Sequence, residues 1–350
     1  MSRLEHRINF VIPERFFDDA NSLGWPEIPS GNINAITDEV LTQRCVGSMN
    51  NWVVIPYIYF RRAGYDVSHS PEPLDDAINI VSSVDFGIRH RPVRPFIVAC
   101  RADCHEPKLA NWVFEQNNLN KGKAKISWTP HFPQPGLIAR KRERGAELSV
   151  LGYMGETSNL YEQFCDETFL SALNSMGVIF RHGKRSPEGD EPVSMHDYSN
   201  VDAIIAIRNL TLADVANKPA SKLVNAWAAG VPALLGAEPA YQELRKSSLD
   251  YIEINSSEDA INAIRRLKDD ANLYNNMISN GQARAKEFTV SEILCRWVEH
   301  LNGPVGHEFV KWQRKNGAVK SLLWLKNAAA DKIARKVYLH RRDTGERPFE

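Results

Sequence analysis

Residues 217–236 read NKPASKLVNAWAAGVPALLG. Lys218, Ser221 and Lys222 crowd the opening of a segment whose small apolar residues predict a helix, and Pro219 suits a first helical turn. A helix N-terminus offers unpaired backbone N–H groups and a partial positive charge. Two ammonium groups and a hydroxyl beside it make a site for phosphate. The apolar run VDAIIAIR (201–208) reads as a parallel strand buried on both faces. Arg208 then falls at a strand end, where open α/β sheets bind ligands, and its guanidinium adds a bidentate fork. The plainer alternative is a surface lysine pair beside an ordinary helix start. The strand-end placement favours phosphate.

The elements that must position these groups alternate. In the first part, INFVIP (8–13), YDVSHS (65–70), AINIVSSVDFGIR (77–89), PFIVACRAD (95–103) and AKISWTPHF (124–132) predict strands. NWVVIPYIYFRRAG (51–64) and ANWVFEQNN (110–118) predict helices, the first closed by Gly64. A second series starts at LSVLGYMG (148–155). It continues through an amphipathic helix (159–177), a strand then basic loop at 178–185, a strand at 201–208, the opening segment with VPALLG, and DYIEI (250–254). The stretch 256–288 predicts helix, with Ser256 or Ser257 as N-cap. Strands alternating with helices imply parallel, doubly wound sheets. The expected division is 1–145, 146–302 and a basic helical extension, 303–350.

At 350 residues the chain suits two domains, and 43% hydrophobic with 25% charged residues fits a globular, soluble protein. Net charge is zero, which argues against general nucleic-acid binding. The charge is unevenly spread. Residues 303–350 carry eleven lysines and arginines against five acids, so the extension is +6 and the remainder −6. Its segment GAVKSLLWLKNAAADKIARKVYL fits an amphipathic basic helix on an anionic membrane, or one packed back on the first domain with a solvated basic face. Five scattered cysteines suit a reducing compartment, and Cys100, Cys104 and His105 lack a second ligand pair at zinc spacing, so no metal is expected. With no apolar run long enough for a signal or a span, the expected location is cytoplasmic, peripheral on the inner face of the membrane.

KPASKLVNAWAAGVPALLG followed by EPAYQEL resembles the donor-binding signature of GT-B glycosyltransferases, and the order of elements over 148–300 is similar to their donor domain. WTPHFPQPGLIAR (128–140) and HDYSNVD (196–202) resemble segments of bacterial polysaccharide glycosyltransferases. The resemblance implies two Rossmann-like domains facing a central cleft, and sugar transfer from a nucleotide-diphosphate sugar to a glycan or lipid-linked acceptor. It also implies no required metal or cofactor, and Glu243 near the ribose. Retaining members carry a Glu-x7-Glu pair, and Asn217 and Asn225 stand at the matching positions. Eight helical residues span about 12 Å, so the spacing persists without the carboxylates. An asparagine still bonds a sugar hydroxyl.

Gly155, in GYMGETS, would let a phosphate or the acceptor approach the backbone, or simply form a tight turn. A base would come from the first domain: Asp103 at the end of PFIVACRAD, then His131, then Asp85. The sequence holds no Walker A, G-x-G-x-x-G, H-E-x-x-H or G-x-S-x-G motif. Two rivals keep the fold. One is a sugar-nucleotide epimerase, which would turn over its substrate without an acceptor. The other is a non-catalytic transferase-like partner or glycan-binding subunit.

Overall fold

The structure, a computed structural model, describes residues 3–18, 23–155, 157–182 and 194–347. The basic end of the FRHGKR loop (183–185) and Glu156 of GYMGETS lie outside them. The strands are β1 (Ile8–Val11), β2 (Ser68–Ser70), β3 (Ile78–Ser82), β4 (Phe96–Arg101), β5 (Trp112–Glu115), β6 (Ile126–Trp128), β7 (Val150–Gly152), β8 (Ile179–Arg181), β9 (Ala203–Ala206), β10 (Ala233–Leu235) and β11 (Ile252–Glu253). The helices are α1 (Asp38–Arg44), α2 (Gly47–Met49), α3 (Ile55–Arg62), α4 (Glu167–Ser175), α5 (Leu212–Val215), α6 (Ser221–Ala229), α7 (Pro239–Gln242), α8 (Ser257–Asp269), α9 (Ala271–Ala285), α10 (Val290–His300), α11 (Gly306–Gln313) and α12 (Gly317–Thr344).

The chain forms two compact units. Unit 1 comprises Met1–Pro135, Asn217–Pro219 and Val290–Asp343; unit 2 comprises the remainder.

Unit 1 is built on a parallel sheet in the order β2-β1-β3-β4-β5-β6. β3 (INIVS) is buried throughout, and β4 (FIVACR) along all but its last residue. The expected helix ANWVFEQNN is instead β5, laddered to Val98–Arg101 on one side and Ile126–Trp128 on the other. Trp112, Val113 and Phe114 are β-formers, and two strand partners outweigh a short helix-like pattern. α10 and α11 complete the core: the Trp297 ring lies 5.0 Å from Phe114 and 5.9 Å from Phe60, both edge-on, and Phe309 meets Phe96 at 5.5 Å. α12 turns Lys320, Ala328 and Asp331 inward. Asp331 accepts the Lys108 N–H at 3.0 Å and pairs with His105 at 3.2 Å.

Unit 2 has a parallel sheet in the order β11-β10-β9-β7-β8. Asp202, fully buried before β9, accepts from Arg140, Arg144 and the N–H groups of Ser149 and Val150. Burial works against its charge, but these bonds and the Arg140 charge outweigh it and hold the carboxyl below its ordinary pKa. α6 lies close on α9, where a Cβ on Gly281 would meet Trp227 Cδ1 at 2.8 Å, so only glycine fits without a shift. Gly230, at φ +72°, ends α6 in the left-handed conformation. α4 starts later than expected, at Glu167, because Asp166 accepts the Phe169 N–H and caps it. Ser256, one of the two expected caps, caps α8 through Asp259 N.

Candidate functional site

In unit 2 the candidate residues gather at the carboxyl ends of the strands. β7 ends at Gly152 and runs into Tyr153 and Gly155; β9 runs into Arg208; β10 leads to Glu238. Ser221 is the first residue of α6, and Ala220 before it supplies no side-chain cap. Lys222 reaches back over the Tyr153 ring, its Nζ 5.6 Å from the centroid. A Cβ on Gly155 would stand 3.2 Å from both Cε and Nζ of Lys222, so the glycine leaves the room this ammonium occupies. Gly155 and Lys222, named separately from the sequence, are thus neighbours in space.

Arg208 is directed elsewhere. It is buried, donates to Glu238 Oε2 at 2.6 Å and to the Tyr241 hydroxyl at 3.1 Å, and its guanidinium stacks 5.6 Å from the Tyr241 ring. Burial, with Glu238 adding to it and Arg208 opposing, pushes the Tyr241 hydroxyl far above its ordinary pKa. Asn225 is buried in the middle of α6, and Glu243 follows α7 half-buried.

In unit 1 a second cluster forms at the carboxyl edge of the other sheet. Asp103, after β4, pairs through Oδ2 with Lys218 Nζ at 2.7 Å and accepts from Gln116 Nε2 on Oδ1 at 2.9 Å. Gln116, after β5, also donates to the Asn217 carbonyl and accepts from His131 Nε2 at 2.8 Å. The two candidate bases, Asp103 and His131, are therefore joined through one amide. The His131 ring lies 4.5 Å from Trp52, and burial lowers its pKa to about 4, with the Asp103 charge opposing. Arg101 donates to Asn217 Oδ1 and to Glu115 Oε1, both at 2.7 Å, and Asn117 donates to the Lys218 carbonyl at 3.2 Å. Asp85 lies apart from this network and accepts from Arg15 at 3.1 Å.

Gln116, Asn117, Arg101 and Glu115 are absent from the sequence-predicted site. Reading 110–118 as a helix hid the fact that Gln116 and Asn117 follow a strand end. A cleft of about 630 Å³ opens beside Asp103, between the loop after β3 and α12, and Arg89, Lys332, Arg335 and Arg342 line it. Among the described residues, no group of three or more His, Cys, Asp or Glu side chains is placed to hold a metal ion. Cys100 is buried in the core and Cys104 bonds Ser83 at 3.1 Å.

No protein-family model and no curated protein matches the sequence. Among solved structures, the chain is similar to HepE of Anabaena in complex with UDP, with TM-score 0.50 and 13% identity over 84% of this chain and 99% of HepE. The fold is GT-B. The GT-B chain also shows likeness to sucrose-phosphate synthase from Thermosynechococcus elongatus (TM-score 0.48, 10% identity, 78% of this chain and 80% of the synthase). TarM of S. aureus follows at TM-score 0.47 and 12% identity, over 65% of this chain; the chain spans 55% of the TarM length. In this GT-B chain each candidate cluster occupies the carboxyl edge of its own parallel sheet, the ligand position of such sheets.

Proposed function

We propose that this chain is a glycosyltransferase that moves a sugar from a nucleoside-diphosphate donor to a glycan or lipid-linked acceptor in the assembly of a bacterial surface polysaccharide. One observation carries the reading. The uncapped start of α6 and the Lys222 ammonium against Gly155 make an anion site at the strand ends of a fold that HepE shares, and HepE was crystallised with UDP.

In this mechanism the α6 N–H groups, Ser221 and Lys222 hold the diphosphate and stabilise it as it leaves, so no metal is required. Arg208 acts as a positioning residue by fixing Glu238 after β10. Asp103 takes the acceptor proton. Lys218 pairs with its Oδ2, and neutral His131 orients it through Gln116. Asn217 and Asn225 stand in for the glutamate pair of retaining relatives, and Glu243 meets the ribose. The acceptor enters the cleft beside Asp103, whose basic lining suits a phosphate-bearing lipid carrier, with residues 303–350 facing the membrane.

A thermal-shift panel with UDP, GDP, dTDP, ADP and CMP, with and without EDTA, tests this. A nucleotide at a hundred times its dissociation constant stabilises the fold by about 2.7 kcal/mol. UDP is expected to respond, with EDTA making no difference. A panel without any responder overturns the donor site, and turnover of the sugar nucleotide without an acceptor would assign an epimerase.

A further inference from the structure

α12 carries an apolar face that nothing in unit 1 covers. Among the described residues, four large hydrophobic side chains are at least 60% exposed, and Leu322 (68%), Ile333 (65%) and Leu325 (60%) on this helix are three of them. Val319 and Val337 are exposed as well. At 3.6 residues per turn, Val319, Leu322, Ile333 and Val337 fall within about 60° of the helix circumference, in a stripe about 27 Å long. This stripe is opposite the face that buries Lys320, Ala328 and Asp331. A soluble surface does not normally line up apolar side chains in this way.

The charge around the stripe identifies what covers it. Lys326 rises within it, Lys332 and Lys336 border one side and Arg341 the other, all exposed. Four cations, Lys326, Lys332, Lys336 and Arg341, thus stand on or beside the stripe, against the single exposed anion of the helix, Asp343. A second copy of the chain would bring an equally positive face, which repels. α12 is too charged to cross a membrane, and among the described residues no helix is long and apolar enough to do so. An apolar stripe flanked by cations, on a helix packed along its other side, suits the headgroup layer of an anionic bilayer.

We infer that α12 docks this protein on an anionic lipid surface, inserting Leu322 and Ile333 while Lys326, Lys332 and Lys336 meet the headgroups. The inference rests on residues 303–350 facing a membrane and is independent of nucleotide binding. The full chain is floated with vesicles of phosphatidylcholine alone and of phosphatidylcholine mixed with phosphatidylglycerol. Wild type is expected to float with the mixed vesicles and remain behind with the neutral ones. Leu322→Glu with Ile333→Glu, both on solvated positions, lowers the bound fraction at least about tenfold, as does Lys326→Glu with Lys336→Glu. Val46→Glu, on an exposed hydrophobic outside α12, leaves it unchanged. Failure to float, equal binding to neutral vesicles, or unaltered binding of the α12 variants overturns the inference. So does a lipid-indifferent dimer that Leu322→Glu with Ile333→Glu splits. The UDP thermal shift of the same variants keeps the two questions apart, since docking lost with the shift retained concerns α12 alone.

Discussion

Acid should weaken this protein through one buried ring. The His131 pKa falls from 6.5 to about 4, mainly because burial penalises the imidazolium. The folded chain therefore keeps His131 neutral at pH values where the unfolded chain has protonated it. Between those two values the unfolded state binds more protons, so stability rises with pH and is lost as pH falls. Above about pH 6.5 the residue contributes no pH dependence. At about pH 4.5 the loss approaches 2.5 kcal/mol, at about 1.4 kcal/mol per unit. This is an upper value, because the ring retains some solvent contact. His131→Asn keeps a donor for Gln116 and removes the titration. Urea melts of both proteins, at neutral pH and at about pH 4.5, compare the two differences so that other titrating groups cancel. The variant should gain about 2 kcal/mol on wild type in acid. An equal gap between the proteins at both pH values would refute the argument.

Three further outcomes follow from the same geometry. Lys222→Ala removes a charge-assisted bond of about 1.5–3 kcal/mol, so calorimetry should find UDP bound about 10- to 150-fold more weakly; an unaltered constant takes the lysine out of the site. Arg208→Leu strands the buried Glu238 carboxylate and should cost about 3–5 kcal/mol in a melt, much of it recovered by adding Glu238→Leu. A double variant as unstable as the single one would show that the pair is not the cause. Gly281→Val forces α9 off Trp227 and should cost about 1–3 kcal/mol, seen also as a changed near-ultraviolet tryptophan signal; wild-type stability would contradict the close approach.

Runs such as FIVAC and AIIA could be read directly, because a parallel strand covered on both faces leaves an unbroken apolar string. ANWVFEQNN could not, since three apolar residues in a row fit either period and only the flanking strands decide. That one misreading removed Gln116 from view, and with it the link between Asp103 and His131. Lys218 and Lys222 stood out by position beside a helix start. Their separate partners, Asp103 for one and the Tyr153 ring for the other, depend on segments 60 or more residues away. Arg208 was placed correctly at a strand end, but its commitment to Glu238 comes from the loop after the next strand.

The packing of Trp297 and Phe309 against Phe10, Phe60, Phe96 and Phe114 has a consequence for biosynthesis. The ribosome delivers the first 135 residues long before α10 exists. At about 5–20 residues per second, the nascent sheet waits roughly ten to thirty seconds for the helices that seal it. During that interval its aromatic surface faces solvent, available to chaperones and to neighbouring nascent chains. A messenger truncated before codon 290 would release a product that stays open in this way, and the cell would meet it as a client for degradation.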